Sequence, residues 1–481
     1  MKLQALLCAI SLGLTTALAH SVEFKSSQAQ FDVPDIAGGI GLIDQHKEKM
    51  IGEKVYRQVY KQLPVAKQPW LEDQLYQTFV HILSQTQHGQ APIGLLIIQD
   101  PQINAFAVPG GLFALNLGLI TSARNMDEVA GVMAHEIAHV TQRHYNRSQE
   151  NAKGQGLLAL AGILAGALVA SQADGEAGMA VMLGSQAALG NQQLVYSRNH
   201  EREADRIGMQ YMYAAGFNPH SMADFFETMY RSTSRISFFP DFWLTHPLTT
   251  ERMSEARLRA NQLAEVKASQ QDINFAILKW YSKVLMGQTT ETELKMMAER
   301  GYIAGQLALA AFYLNRSDFA LAQSAMNQAK ATGYDSNLIP LLQTDIYIAQ
   351  KKMDLALQEI QNAVRLMPEN RALAYKMAEV LIQRKQAAEA QTLLQPFINQ
   401  NPRDVTAWQL MHLAANADVG SAFKAINVLR YRAEVEFWTG NEETAIKSLI
   451  HAQRLANSNP SLAIKVKQRL GEMQQDRRYR I

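Results

Sequence analysis

The chain has 481 residues, of which 47% are hydrophobic and 19% are charged, with 28 Gly and 14 Pro. This composition is close to the globular average and excludes disordered, collagen-like and disulfide-rich chains. The formal net charge is only +2 at pH 7, whereas a nucleic-acid-binding protein should carry a strongly basic surface. The sequence therefore predicts a folded protein of two or three domains with no nucleic-acid partner.

The N-terminal segment has the pattern of a secretory signal. Lys2 precedes a mostly apolar run up to Leu14, and an Ala-Leu-Ala cleavage site ends at Ala19. We expect a signal peptide over 1–19, removed after Ala19, and a periplasmic mature chain. The only cysteine, Cys8, lies in the removed segment, so disulfides cannot stabilise the mature protein.

Helical and strand patterns follow a linker over 20–44. Apolar residues recur at helical spacing from about residue 45 to residue 88. Short apolar runs over 93–98 and 105–108 are separated by turn residues, which is typical of strands. We therefore predict a small β-sheet between helices.

A motif of metal-binding type lies on the next predicted helix, over 126–146. His135-Glu136-Ile-Ala-His139 places two imidazoles at positions i and i+4, on one helix face. Both rings can bind one Zn²⁺, while Glu136 lies where it can take a proton from the attacking water. His144, five residues beyond His139, is expected on a different face, exposed to solvent and not a ligand.

A third metal ligand is expected downstream, because catalytic zinc usually has three protein ligands. Glu201 and Asp205 are spaced i and i+4 at the start of a predicted helix. One of the two can bind the metal while the other hydrogen-bonds a ligand imidazole and fixes its tautomer. Glu203, between them, should point elsewhere.

Residues 157–189 contain two apolar stretches, over 157–170 and 177–189. Each is shorter than the ~20 residues that a transmembrane helix needs. We predict buried or half-buried helices here, and the alternatives are peripheral contact with a membrane surface or binding of an apolar substrate.

The last third of the chain has an internal repeat of 34 residues, typical of tetratricopeptide helix pairs. The positions that recur at this spacing are Ala322, Ala356 and Ala390; Tyr313, Tyr347 and Leu381; and Met326, Ile360 and Leu394. We predict an α+β peptidase domain, mainly helical with a small sheet, over 45–270, and an all-α repeat solenoid over 271–481. Because repeats stack mainly on one another, the two domains are expected to be separable.

The two motifs together resemble a known family. H-E-x-x-H followed by E-x-x-A-D is similar to the gluzincin metallopeptidases, which include the CAAX prenyl proteases and the HtpX membrane proteases. The resemblance implies one zinc per chain on His135, His139 and Glu201, with Glu136 as base. It adds His246, on a loop over the active site, as a possible fourth ligand or oxyanion stabiliser, and Arg252 as a group that neutralises developing charge.

The signal segment and the repeats make the chain most similar to periplasmic members of that family. The resemblance implies that Asn104, Ala105, Phe106 and Ala107 form an exposed edge strand that pairs with an extended substrate. It further implies outer-membrane β-barrel precursors and the barrel assembly machinery as partners, reached through the repeats. The alternative is an assembly chaperone or docking scaffold whose protease activity is latent.

Overall fold

The structure is a computed structural model that describes residues 45–86, 92–151, 198–233, 246–264, 266 and 273–479. The structure does not describe the predicted signal peptide and linker, the apolar stretches within 157–189, or residues 234–245 on the predicted loop that carries His246. Among the helices that are described, none is long and apolar enough to cross a membrane.

A three-stranded sheet follows the first two helices. The helices are α1 (Gln45–Gln62) and α2 (Pro69–Leu83), and the strands are β1 (Gly94–Ile98), β2 (Ala105–Val108) and β3 (Leu112–Asn116). The central strand β3 pairs in parallel with β1 and antiparallel with β2. Strand β2 is therefore an edge strand, and the predicted small sheet is confirmed.

The turn between β2 and β3 requires glycine. Gly110 and Gly111 have φ angles of +85° and +75°, which side chains rarely tolerate. A Cβ at Gly110 would also lie 2.3 Å from the carbonyl oxygen of Glu48 in α1. The turn therefore allows α1 to pack directly against the end of the sheet.

Six described helices complete the region before the repeats. They are α3 (Leu117–Ser122), α4 (Met126–Thr141), α5 (His144–Asn151), α6 (Arg198–Ala214), α7 (His220–Thr233) and α8 (Thr250–Ala260). Asn125 caps the N-terminus of helix α4, because its side chain accepts a hydrogen bond from the Glu128 N–H. Every residue of α4 from Glu128 to His139 is buried, so this helix is the centre of the region.

The prediction of one helix over 126–146 is wrong. Helix α4 ends at Thr141, and α5 begins at His144. Between them Arg143 has φ +52°, a left-handed conformation that a continuous α-helix does not allow. The chain therefore changes direction immediately after the second histidine of the motif.

The C-terminal region consists of antiparallel helix pairs, as the 34-residue period predicts. The helices are α9 (Ile273–Leu285), α10 (Glu291–Glu299), α11 (Ile303–Asn315), α12 (Phe319–Ala331), α13 (Leu338–Ala349), α14 (Met353–Leu366), α15 (Arg371–Gln383), α16 (Ala387–Gln400), α17 (Val405–Ala417), α18 (Lys424–Trp438), α19 (Glu442–Leu455) and α20 (Pro460–Arg478). The recurring residues Ala322, Ala356 and Ala390 are completely buried. They allow the two helices of each pair to pack closely.

The repeats share one hydrophobic core with the peptidase region. A single cluster of buried residues joins Val59 of α1 and Leu112 of β3 to Phe437 of α18 and Met473 of α20. This continuity is contrary to the expectation that the repeats stack mainly on one another. The sequence showed the apolar face of α1 but not the distant helices that cover it.

Ion pairs reinforce the same contact. Arg57 of α1 is 1% exposed; its Nε lies 2.9 Å from Glu442 Oε1 and its Nη2 lies 2.7 Å from Asp476 Oδ1. Its guanidinium also lies 4.5 Å from the centre of the Phe437 ring. Because a buried arginine that loses its partners is strongly destabilising, α1 depends on the last repeats.

We predict that a fragment of residues 20–270 is insoluble or unfolds without a cooperative transition. Removing the repeats exposes the apolar faces of α1 and the sheet, and large exposed apolar patches cause aggregation. Soluble expression and thermal unfolding test this, with the full-length chain as control, for which a single transition is expected. A soluble fragment that unfolds cooperatively and binds metal would show that the domains are separable.

Candidate metal centre

Four buried side chains bring possible ligand atoms together: His135, His139, Glu201 and His246. The Nε2 atoms of His135 and His139 are 3.0 Å apart. His246 Nδ1 lies 3.4 Å from His135 Nε2 and 3.1 Å from Glu201 Oε1. A tetrahedral zinc site with bonds of about 2.0–2.1 Å has its ligand atoms about 3.3 Å apart. The four side chains therefore fit one tetrahedral metal ion.

The packing of two helices produces this geometry. Helix α4 presents His135 and His139 on the face that meets α6, and the first turn of α6 carries Glu201. Gly208 permits the close approach, since a Cβ there would lie 2.9 Å from both Ala134 O and His135 N. A larger residue at this position would separate the third ligand from the first two.

Glu136 is buried beside the four ligand candidates and under the edge strand. The backbone N–H of Ala107 in β2 donates a hydrogen bond to its carboxylate. Burial raises the pKa of the Glu136 carboxyl, and the nearby His246 and His135 oppose this only in part. A raised pKa brings a carboxylate closer to the working range of a general base. Glu136 Oε1 has no hydrogen-bond partner among the described residues.

Asp205 and Arg252 support the ligands from behind. Asp205 Oδ1 lies 3.0 Å from His135 Nδ1, which leaves His135 Nε2 directed at the metal position. Arg252 donates to both oxygens of Asp205 at 2.7 Å, and its Nη1 lies 2.8 Å from Glu201 Oε2. Burial alone would raise the pKa of Asp205, but the charge and hydrogen bonds of Arg252, together with the contact with His135, lower that pKa.

Arg252 has a further contact besides the two carboxylates, and its expected role in neutralising developing charge stays a prediction. Its Nη1 also donates to the carbonyl oxygen of Pro247 at 2.9 Å. The guanidinium is thus occupied by a ligand carboxylate, by Asp205 and by the chain next to His246. The sequence could not reveal these partners, because Arg252 is 47 residues from Asp205.

The charge of the buried site fits a divalent cation. Within the described part of this site, Glu136, Glu201 and Asp205 are three carboxylates, and Arg252 supplies one positive charge. With neutral imidazoles the surplus is two negative charges. Buried charges need a partner, and a divalent metal ion supplies the balancing charge.

The expectation that His144 is exposed to solvent is wrong. His144 is completely buried, and its Nδ1 lies 2.9 Å from His139 Nδ1. Its Nε2 lies 3.1 Å from an oxygen of Glu203, which also accepts a hydrogen bond from Arg147. The change of direction at Arg143 places this ring behind the metal centre. Helical periodicity could not predict it, since periodicity assumes an unbroken helix.

The site has the features of a metallopeptidase: the His-Glu-x-x-His motif on one helix, a carboxylate from a second helix close to both imidazoles, and a buried glutamate beside an edge strand. The sequence model of peptidase family M48 matches residues 66–260, and a tetratricopeptide-repeat model matches residues 347–414. Both matches agree with the two regions of the structure.

Three bacterial relatives are similar over most of the chain. The β-barrel assembly-enhancing protease of Yersinia pestis is 31% identical over 83% of this chain and 84% of its own length. Its counterpart in Escherichia coli K12 is 30% identical over 80% of both chains. A putative one from Vibrio cholerae is 30% identical over 88% of both. The chain belongs to peptidase family M48 and, within it, to the β-barrel assembly-enhancing proteases.

We predict that Arg252→Lys weakens binding of Zn²⁺ by about 10–100-fold, the usual effect of losing a group that orients metal ligands. A lysine cannot contact Glu201 and both oxygens of Asp205 at once. Competition with a zinc chelator measures the affinity. Arg259→Lys, on the same helix and in a partly exposed pair with Glu255, is the matched control. Unchanged affinity with a lower kcat would instead support the charge-neutralising role.

Proposed function

We propose that this metallopeptidase is a zinc endopeptidase of the periplasm that acts in the assembly and quality control of outer-membrane β-barrel proteins. One observation carries the enzymatic part of the proposal. The ligand atoms of four side chains meet beside a buried Glu136, next to the open edge of β2.

Zinc is the metal that suits this donor set. Two or three imidazole nitrogens with one carboxylate, in tetrahedral arrangement, are typical zinc ligands. We propose one zinc per chain, held by His135, His139 and Glu201, with His246 as the fourth ligand at rest. When bound, the metal supplies Lewis acidity, which polarises the scissile carbonyl and lowers the pKa of water.

Glu136 is the proposed base. Its carboxylate takes a proton from the attacking water and later delivers it to the leaving amine. The Ala107 N–H holds this carboxylate in position from the side of β2. Arg252 acts indirectly, because it fixes Glu201 and Asp205.

The edge strand is the proposed substrate-binding element. Among the described residues, strand β2 pairs with β3 alone, and the carbonyl of Asn104 extends this pairing by accepting from the Asn116 N–H. Phe106 packs against the hydrophobic core, so the strand presents backbone groups more than side chains. An extended segment of substrate can add to such an edge with little dependence on its sequence.

His246 is the proposed cause of latency. Its Nδ1 lies among the ligand atoms, while its Nε2 is 3.4 Å from Glu136 Oε1. A side chain in this position excludes water from both the metal and the base. Substrate must therefore displace the segment that carries His246 before hydrolysis begins.

The proposed substrates and partners follow from the relatives. The relatives carry the name β-barrel assembly-enhancing protease, and the chain covers most of their length. We propose that barrel precursors and the barrel assembly machinery bind through the repeats, which are generally protein-interaction surfaces. The secretory pattern over 1–19 supports a periplasmic location.

We predict that Glu136→Gln keeps its metal but hydrolyses casein or a misassembled barrel protein about 10²–10⁴-fold more slowly, because the amide cannot accept the proton. Metal analysis and a digestion assay measure both properties. Glu389→Gln, at an exposed position in the repeats, is the control. Wild-type turnover in the metal-loaded variant would rule out Glu136 as the base.

The same variant tests the second candidate function, an assembly scaffold with latent proteolysis. The position of His246 and the core shared with the repeats both favour this alternative. Restoration of barrel assembly by the Glu136→Gln protein in cells lacking the wild type would support the scaffold. Failure to restore it would support proteolysis as the main function.

We predict that His246→Ala raises basal cleavage of casein, because the metal and Glu136 become accessible to water. The alternative role, stabilisation of the oxyanion, predicts a loss on the order of 10²-fold. Cleavage is measured together with the metal coordination of the substrate-free protein, and His451→Ala, at an exposed site, is the control. Lower cleavage, with only three protein ligands in the wild type, would contradict latency.

A further inference from the structure

His144 lies directly behind the metal centre, on the side of His139 away from the ligand group. His139 uses Nε2 toward His135 and Glu201 and turns Nδ1 toward His144, at 2.9 Å. In a continuous helix, a residue five positions later would be about 140° away around the axis. Only the left-handed Arg143 brings the two rings into contact.

The surroundings of His144 fix its position. Its ring stacks on His200 with the two centres 4.5 Å apart and an angle of 11° between the planes. Its Nε2 lies 3.1 Å from Glu203 Oε2, and Arg147 Nη1 donates to the same oxygen at 2.9 Å. The same turn of α5 is held to α1, because Asn146 donates to Glu48 at 2.6 Å. The ring is therefore stacked on one face and has a partner at each nitrogen.

The chemistry of histidine decides which ring nitrogens of His139 and His144 carry protons. A histidine that binds a metal through Nε2 keeps its proton on Nδ1. His139 Nδ1 must then donate, and His144 Nδ1 must accept. The proton of a neutral His144 consequently lies on Nε2, where the Glu203 carboxylate accepts it. Each hydrogen bond in this series, from Arg147 through Glu203 and His144 to His139, then has one donor and one acceptor.

We propose that His144, held by Glu203, is a positioning residue for the metal centre, which selects the Nε2-ligating tautomer and the orientation of His139. The inference rests on the proposed zinc site and deepens it. Asp205 does the same for His135 through a direct carboxylate contact, but His139 has a second imidazole inserted between the ligand and the carboxylate. The two metal-binding histidines are thus supported in two different ways.

Three substitutions separate this role from simple packing. Asn places an amide oxygen near the position of Nδ1 and keeps the acceptor for His139. Gln places its amide near Nε2, so it keeps the contact with Glu203 and loses that acceptor. Leu fills similar space and has neither group. His412→Leu, which removes an imidazole bonded to the Val428 carbonyl in the repeats, is the matched control.

The measurement is affinity for Zn²⁺ by chelator competition, on full-length protein. We expect His144→Gln and His144→Leu to bind zinc about 10–100-fold more weakly, and His144→Asn to stay within a few-fold of the wild type. Equal affinity of all three variants, or equal loss in Asn and Leu, would overturn the proposal. If the wild type binds no zinc at all, the proposed function itself fails, so the two failures are distinguishable.

A second measurement needs no variant. Nitrogen chemical shifts of ¹⁵N-labelled histidine in the zinc-loaded wild type report which ring nitrogen carries the proton. We expect the proton on Nδ1 for His139 and on Nε2 for His144. A proton on Nδ1 of His144 would overturn the proposal, because that nitrogen could not then accept from His139.

Discussion

Three carboxylates lie close together inside the metal centre, where like charges repel strongly because little water screens them. Glu136 comes from α4, Glu201 and Asp205 come from α6, and the compensating Arg252 comes from α8. A divalent cation completes the balance. No single helix can bury its own charge without the others, so the site and the packing of these three helices form together. This requirement also explains why the arginine contacts the carboxylates of Glu201 and Asp205.

The sequence predicted those features that depend on local spacing. His135 and His139 share a helix face whatever the rest of the chain does, and the 34-residue period predicts the buried alanines of the repeats. The sequence could not predict features that depend on a single backbone angle or on packing between distant segments. Nothing local identifies Arg143 as left-handed, because it is not glycine, so the burial of His144 was missed. The partner of α1 was missed too, since an amphipathic helix indicates that a face is covered but not by which helix.

The continuous core between peptidase and repeats bears on the choice between protease and scaffold. Phe437 and Trp438 of α18 belong to the same buried cluster as Leu112 in the central strand of the sheet. A second contact involves α2, where Glu72 and Asp73 pair with Arg371 of the repeats at 2.8 Å. A partner bound to the repeats is therefore attached to the body that contains the active site. The proposed binding and hydrolysis would then take place on one continuous hydrophobic core, so the two candidate functions are compatible in the same molecule.

The shortness of β2 has a consequence for the substrate selectivity of the proposed edge site. A strand of four residues spans only about 13 Å at about 3.3 Å per residue, so it can form few backbone hydrogen bonds with a guest chain. A strand inside a closed barrel has both edges paired and offers no free backbone groups. The few hydrogen bonds that β2 can form provide too little free energy to pull such a strand out of the barrel. In barrel precursors that assemble slowly or stall, strands stay unpaired for longer and are therefore accessible to this edge for longer. For the proposed substrates, discrimination would then be a matter of timing, set by the rate at which the barrel closes.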